Sequence, residues 1–229
     1  MPGPDSGDCG PAVAVAQVLG AARTWCAEHR AAAPLVIAID GPGAAGKSTI
    51  AGLVAAAAGG ALVHTDDFFT EPPRPVAGAT SGGPSRGQPG PPDAGLAIGC
   101  YYDWGRLRAE ALEPLRAGRT ASFRRFDPEC LDPEHGRAAD GAGADGVVSV
   151  QPSSLIVVEG VSSGAPALSG LVHRSVLVDT PAGERLRRLR TRVRPEEWDD
   201  DWLAAEQAYF SLVRPPSSFD LVVPGTCAI

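Results

Sequence analysis

Residues 41–48 read Gly-Pro-Gly-Ala-Ala-Gly-Lys-Ser, and Lys47 among them is the only lysine in a chain whose other basic side chains are all arginine. The spacing is G-x-x-x-x-G-K-S/T, set between an apolar run and an alanine-rich stretch. Gly41, Gly43 and Gly46 let the backbone curl, so that the N–H groups of Ala44, Ala45 and their neighbours point inward as a cradle for phosphate oxygens. A helix starting at Lys47 would add its positive end. Lys47 would reach the β- and γ-phosphates as a compact point charge, where the planar fork of an arginine would seek bidentate contacts. Ser48, followed by Thr49, offers a hydroxyl to Mg²⁺, the usual companion of a triphosphate such as ATP.

The second group of reactive side chains is "ALVHTDDFFTEPP", residues 61–73. A kinase acting on an alcohol needs a carboxylate to orient the hydroxyl and accept its proton. Asp66 or Asp67 could do this, with the other holding Mg²⁺ through water, and Phe68 and Phe69 could wall an acceptor pocket. The plainer alternative is that Thr65, Asp66 and Asp67 cap a helix while both aromatics sit in the core. A GTPase would need a guanine-reading N-K-x-D, which a chain with one lysine cannot supply. Motors and large ATPases need more chain than 229 residues.

These residues require a scaffold of alternating strands and helices. "PLVIAID" is a short apolar run suited to a strand buried on both faces, and "ALVH", "SLIVVEG", "RSVLVD" and "FDLVVP" read as four more. Helices are expected over "PAVAVAQVLGAARTWCAEHR", over "KSTIAGLVAAAA" with its stop at Gly59-Gly60, and over "WGRLRAEALEPLRAG". A further helix, "AGERLRRLRTRV", carries an apolar stripe of Leu186, Leu189 and Val193 flanked by arginines. Such alternation implies a parallel sheet covered on both sides. Two segments break the pattern as loops: residues 71–99, dense in Pro, Gly and Ser, and the weaker 132–153. Loops of this length are either functional or tolerated surface insertions.

Composition narrows the partners. Hydrophobic residues make up 44% of the chain and charged ones 21%, with a net charge of −7 that argues against nucleic acid as a partner. No apolar run approaches the roughly 18 residues of a membrane span, and the first ten residues lack the basic and apolar regions of a signal peptide. A cytoplasmic location without membrane attachment is therefore expected. The five cysteines include no C-x-x-C pair, so neither a zinc site nor a disulfide framework is signalled.

Taken in order, "IAIDGPGAAGKSTIA", "VHTDDFF", "YYDWGRLRAEALEPLRAGR", "RRFD", "IVVEGV", "VDTPAGERLRRLR" and "AYFSLVRPPSSFDLVVP" resemble the uridine–cytidine kinase family. Phosphoribulokinase and nicotinamide riboside kinase are its neighbours among P-loop kinases. The likeness runs from about residue 35 to about residue 224. It implies an α/β P-loop NTPase three-layer fold with a five-stranded parallel sheet and a helical lid. By motif, Asp66 matches the catalytic base and Asp103 the aspartate that holds sugar hydroxyls, with Asp67, Phe69, Tyr102 and Arg125 beside them in the acceptor pocket. Phe126 takes the place of a tyrosine lining the base pocket. Glu159 matches an acidic residue near the metal, and Arg188 and Arg192 fall where lid arginines close over the transferring phosphate. Asp103 also reads as a cap for the helix beginning near Trp104.

Two departures leave the acceptor open. The family's base-pocket histidine has no clear counterpart in "FDPECLDPEHG", and the loop after the catalytic aspartate is swollen into residues 71–99. The resulting expectation is a single kinase domain over 1–229, with residues 1–32 as an N-terminal extension and helix. It would use ATP and Mg²⁺ on a hydroxyl of a nucleoside-like small molecule, and could assemble as a homo-oligomer. The alternatives are a kinase for an antibiotic or other specialised metabolite, and a nucleotide-binding regulator without acceptor chemistry.

Overall fold

The structure, a computed structural model, describes residues 9–29, 33–70, 98–126, 146–191 and 200–226. Seven strands form in chain order: β1 (Leu35–Asp40), β2 (Ala61–His64), β3 (Ala121–Arg124), β4 (Val147–Val150), β5 (Leu155–Glu159), β6 (Arg174–Asp179) and β7 (Leu221–Pro224). The five runs that read as strands build one sheet of order β2-β5-β1-β6-β7, in which every pairing is parallel. All six positions of β1 and all five of β5 are buried, as strands covered on both faces must be.

The helices are α1 (Cys9–Glu28), α2 (Lys47–Ala58), α3, α4 (Ala182–Arg190) and α5 (Asp200–Ala208). α3 runs continuously through Trp104–Arg106, the wider turn Leu107–Leu112 and Glu113–Arg116. Successive strand residues point to opposite faces, and the two faces bury separate cores. Leu35, Ile37, Ile39, Leu155 and Val157 pack with Val18 of α1 and with Ile50 and Val54 of α2. Val36, Ile156 and Val158 pack on the other side with Leu107, Leu112 and Leu115 of α3 and with Phe123. Each fully buried aliphatic side chain contributes about 1.5–3 kcal/mol. α2 stops at Gly59, whose left-handed backbone closes the helix as expected.

The structure departs from the sequence reading in several places. Residues Val147–Val150, inside the segment read as a 132–153 loop, form β4 and pair antiparallel with β3, which was read as no element at all. Four-residue strands are too short to declare a period, and their partner here lies across a long gap in sequence. α4 buries none of its residues; of the expected apolar stripe Leu186 is exposed and Leu189 half-buried. α5 was not anticipated. It continues through the wider turn Tyr209–Val213, and its inward face carries Trp202, Ala205, Glu206 and Tyr209 at helical spacing. Arg192, Val193 and residues 71–97 of the long loop lie outside the described residues.

The site depends on what happens where the strands end. β1 lies in the middle, with β5 on one side and β6 on the other, so a crevice opens at its carboxyl end. The phosphate-loop sequence begins there. At the exit of β5, Gly160 has φ +141°, and a Cβ on it would run into the Thr65 hydroxyl. Gly160→Ala is expected to cost about 2 kcal/mol or more in stability, read as a lowered melting temperature. A loss below roughly 0.5 kcal/mol, the level of a neutral surface change, would show that the β2 and β5 exits are not closely fitted.

Candidate active site

The loop between β1 and α2 has the backbone that its glycines allow. Gly41 has φ +149°, and a Cβ there would stand 2.6 Å from the Val178 carbonyl oxygen; Ala44 and Gly46 also have positive φ, at +59° and +99°. Gly46 leads directly into α2, so the first N–H groups of that helix belong to the loop. Lys47 is buried, and its Nζ donates to the Pro42 carbonyl at 3.0 Å. Burial pushes the ammonium pKa down, while Glu159, Asp40, Asp66 and Glu206, in falling order, hold the proton on. Ser48 and Thr49 are exposed toward solvent at the head of the helix.

Asp40, the last residue of β1, is completely buried. Its Oδ1 accepts from the N–H of Gly41 at 2.7 Å and of Ser162 at 2.9 Å; its Oδ2 accepts from the N–H of Gly164 at 2.9 Å and the Tyr209 hydroxyl at 2.8 Å. One carboxylate thus joins the start of the phosphate loop, the turn after β5 and the end of the α5 helix. Burial raises its pKa against the pull of these donors, Gly164 foremost. The sequence reading passed over Asp40. A carboxylate ending a buried strand is costly without a partner, and that was the available signal.

Glu159 ends β5 and is buried. Its Oε2 accepts from the Ser48 hydroxyl at 3.3 Å and its Oε1 from His64 Nδ1 at 2.6 Å. The strand register sets His64 directly opposite Glu159. That hydrogen bond is the main reason the imidazole pKa is raised. His64 stands at a strand end beside an acidic strand end, and that placement is the signal for its role. Ser48 and Glu159 together present hard oxygen donors at the head of α2. No group of three metal-ligating acidic, His or Cys side chains exists among the described residues.

On the acceptor side, Thr65–Phe68 form a single 3₁₀ turn. Asp66 is exposed at the mouth of the crevice, yet the surrounding walls raise its pKa, with Lys47 the largest opposing influence. Asp67 is buried and paired with Arg125, whose Nε lies 2.9 Å from Oδ1. Desolvation raises the Asp67 pKa, and Arg125 pulls it back. Phe68 belongs to the core against Phe123, not to the pocket. Phe69 instead gathers Tyr101, Tyr102, Phe126 and Trp202 around it, with ring centroids 5.1–5.8 Å away. Asp103 caps α3, its Oδ1 accepting from the Arg106 N–H at 2.9 Å, so the capping reading of this residue holds.

Two arginines of α4, Arg185 and Arg188, turn toward the phosphate loop. Arg188 donates to Glu184, to the Ala44 carbonyl at 3.1 Å and to the Gly225 carbonyl at 3.1 Å. Arg185, not among the expected residues, donates to the Gly43 carbonyl at 3.3 Å and to Glu206 Oε1 at 3.1 Å. These polar contacts attach α4 to the phosphate loop.

No protein-family model matches the sequence, and no curated protein matches it. Solved structures do. A possible uridine kinase from Bacillus stearothermophilus superposes over 91% of this chain and 98% of its own, at 17% identity and TM-score 0.53. A candidate fructose transport system kinase from Silicibacter sp. TM1040 covers 92% and 98%, at 16% identity and TM-score 0.54. The YGR205w protein covers 95% of each chain, at 12% identity and TM-score 0.53. At these identities the likeness concerns the fold alone, the α/β fold with a five-stranded parallel sheet that P-loop kinases share. Among the described residues no helix is long and apolar enough to cross a membrane.

Removing the Asp40 carboxylate would leave three buried N–H groups and one phenol unpaired. Asp40→Ala is expected to destabilise the protein by about 3 kcal/mol or more in denaturant unfolding. Tyr209→Phe, which removes one donor and leaves the other three in place, should cost about 1 kcal/mol. Equal losses from the two variants would show that Asp40 is not the centre of the network.

Proposed function

We propose that this chain is an ATP-dependent kinase that transfers the γ-phosphoryl group to a hydroxyl of a nucleoside-like small molecule. The observation that carries the reading is electrostatic and geometric together. Lys47 in its glycine loop and Asp66 at the crevice mouth lie close enough for each charge to bear on the other's pKa. A phosphate-binding cation and a carboxylate of raised pKa facing one crevice are what phosphoryl transfer to an alcohol requires.

In this reading the loop amides from Gly41 to Thr49 and the Lys47 ammonium hold the phosphates. Ser48 and Glu159 would hold Mg²⁺, with His64 fixing the orientation of Glu159; the ion supplies charge neutralisation on the transferring phosphate. Asp66 orients the acceptor hydroxyl and takes its proton. Phe69, Tyr102 and Phe126 offer apolar and aromatic surface for the acceptor, with Asp103, Asp67 and Arg125 at its edge. Arg188, braced on the Ala44 carbonyl, and Arg192 would contribute positive charge over the phosphate. The resemblance to uridine–cytidine kinases supports a nucleoside, and the superposition on a possible uridine kinase is compatible with it. The aromatic group around Phe69 suits a planar ring.

ADP release with Mg-ATP against a panel of uridine, cytidine, other nucleosides and nucleoside antibiotics tests this directly. Lys47→Ala should abolish turnover while the melting temperature stays near wild type. Asp66→Asn should lower kcat on the order of 10² or more, and a loss confined to KM would make Asp66 a binding residue instead. Because the Asp66 pKa is raised, activity should fall with decreasing pH at a value above the ordinary aspartate figure of about 3.9, and Asp66→Asn should lose that limb. ATP binding without turnover on any acceptor would favour a nucleotide-binding regulator.

A further inference from the structure

The phosphate loop already holds an anion, and that anion is part of the chain. Glu206, on α5, is buried, and its Oε2 accepts from the Gly43 N–H at 2.6 Å. Its Oε1 is paired with Arg185 at 3.1 Å, and the same guanidinium group donates to the carbonyl of Gly43. A Cβ on residue 43 would stand 3.2 Å from Oε2, so the glycine gives the carboxylate its room. Glu206 also acts on Lys47 as one of the four anions that hold its proton. A carboxylate held by a loop N–H and a guanidinium has the donor set that a phosphate oxygen takes in such a loop.

We propose that Glu206 is a built-in stand-in for nucleotide phosphate, occupying the loop in the free protein and displaced when a polyphosphate binds. This rests on the phosphate-loop reading above. The Gly43 N–H can serve one anion at a time, and a phosphate arriving beside Glu206 meets a like charge at close range. Arg185 then exchanges its carboxylate partner for a phosphate oxygen. Its Nε, buried and without a partner among the described residues, is a further donor on the same group.

Displacement cannot stay local, because Glu206 is one helical turn from Trp202 and three residues from Tyr209. Trp202 packs on Phe69, Tyr101 and Tyr102, and Tyr209 donates to Asp40. Moving Glu206 off the loop therefore shifts a wall of the acceptor pocket. Nucleotide entry and acceptor fit are coupled through α5, with the acceptor pocket assuming its working shape only after the phosphates are in place.

The test uses the full chain and inorganic tripolyphosphate, a probe with no base or sugar, beside Mg-ATP. Glu206→Gln keeps the size of the side chain and removes its charge. It is expected to bind tripolyphosphate about tenfold or more tightly than wild type by calorimetry, the scale of one charge-assisted hydrogen bond no longer competed for. In the wild type, tripolyphosphate should speed hydrogen exchange in peptides spanning 200–213 while slowing it in 41–48. Equal or weaker binding by a folded Glu206→Gln, or unchanged exchange in 200–213 when 41–48 become protected, overturns the inference. If the variant does not fold, the wild-type exchange result decides alone. If neither polyphosphate binds wild type, the phosphate-loop reading itself fails, which is a different result from binding without release of α5.

Discussion

The buried carboxylate of Asp40 is the constraint around which the crevice is organised. It ends the central strand of a parallel sheet, where no neighbouring strand can supply its side chain with donors. Completely buried, it must find hydrogen bonds or be protonated. It finds four, from Gly41, Ser162, Gly164 and Tyr209, which belong to three segments distant in sequence. The positions of the phosphate loop, the turn after β5 and the last turn of the α5 helix are thereby fixed relative to one another. The geometry of Lys47, Glu159 and Glu206 follows from those three positions.

Most acids of the crevice are matched to a partner of their own. Lys47 is buried but surrounded by Glu159, Asp40, Asp66 and Glu206, in falling order of influence. Glu159 shares its two oxygens between Ser48 and His64, Asp67 is matched to Arg125, and Glu206 to Arg185. Asp66 alone among these acids is exposed at the mouth. The paired acids are held by backbone N–H, hydroxyl, imidazole or guanidinium groups, and the exposed one faces solvent. For the one lysine in this field, burial pulls the pKa down and the surrounding acids oppose it without cancelling it.

The α5 helix gives the site its other organising feature. It fills the crevice with one face, where Trp202, Glu206 and Tyr209 touch the aromatic group, the phosphate loop and Asp40 in turn. Arg185 and Arg188 of α4 complete this enclosure by bonding carbonyls of the phosphate loop, so that both helices after β6 grip the loop through polar contacts. Polar attachment of this kind is weaker per area than an apolar seam and is easily exchanged for ligand contacts.

Much of the fold was legible because its signals are local. The five strands of the sheet are uninterrupted apolar runs, the α2 helix is bounded by glycines, and the phosphate loop announces itself by the spacing of Gly41, Gly46, Lys47 and Ser48. What the sequence could not show were contacts between distant segments. β3 and β4 exist only because they pair with each other across a gap of more than twenty residues. Glu206 meets Gly43 across 163 positions and Tyr209 meets Asp40 across 169. Phe68 and Phe69, adjacent and alike in sequence, were sent by the 3₁₀ turn to the core under the sheet and to the aromatic cluster of Tyr101, Tyr102 and Trp202 respectively. Composition and spacing determined the kind of loop and the strands, since these rest on short-range backbone preferences. Tertiary structure alone decided which carboxylate faces solvent, which one fills the loop and which one holds the frame, because those roles follow from desolvation and from donors brought in by packing.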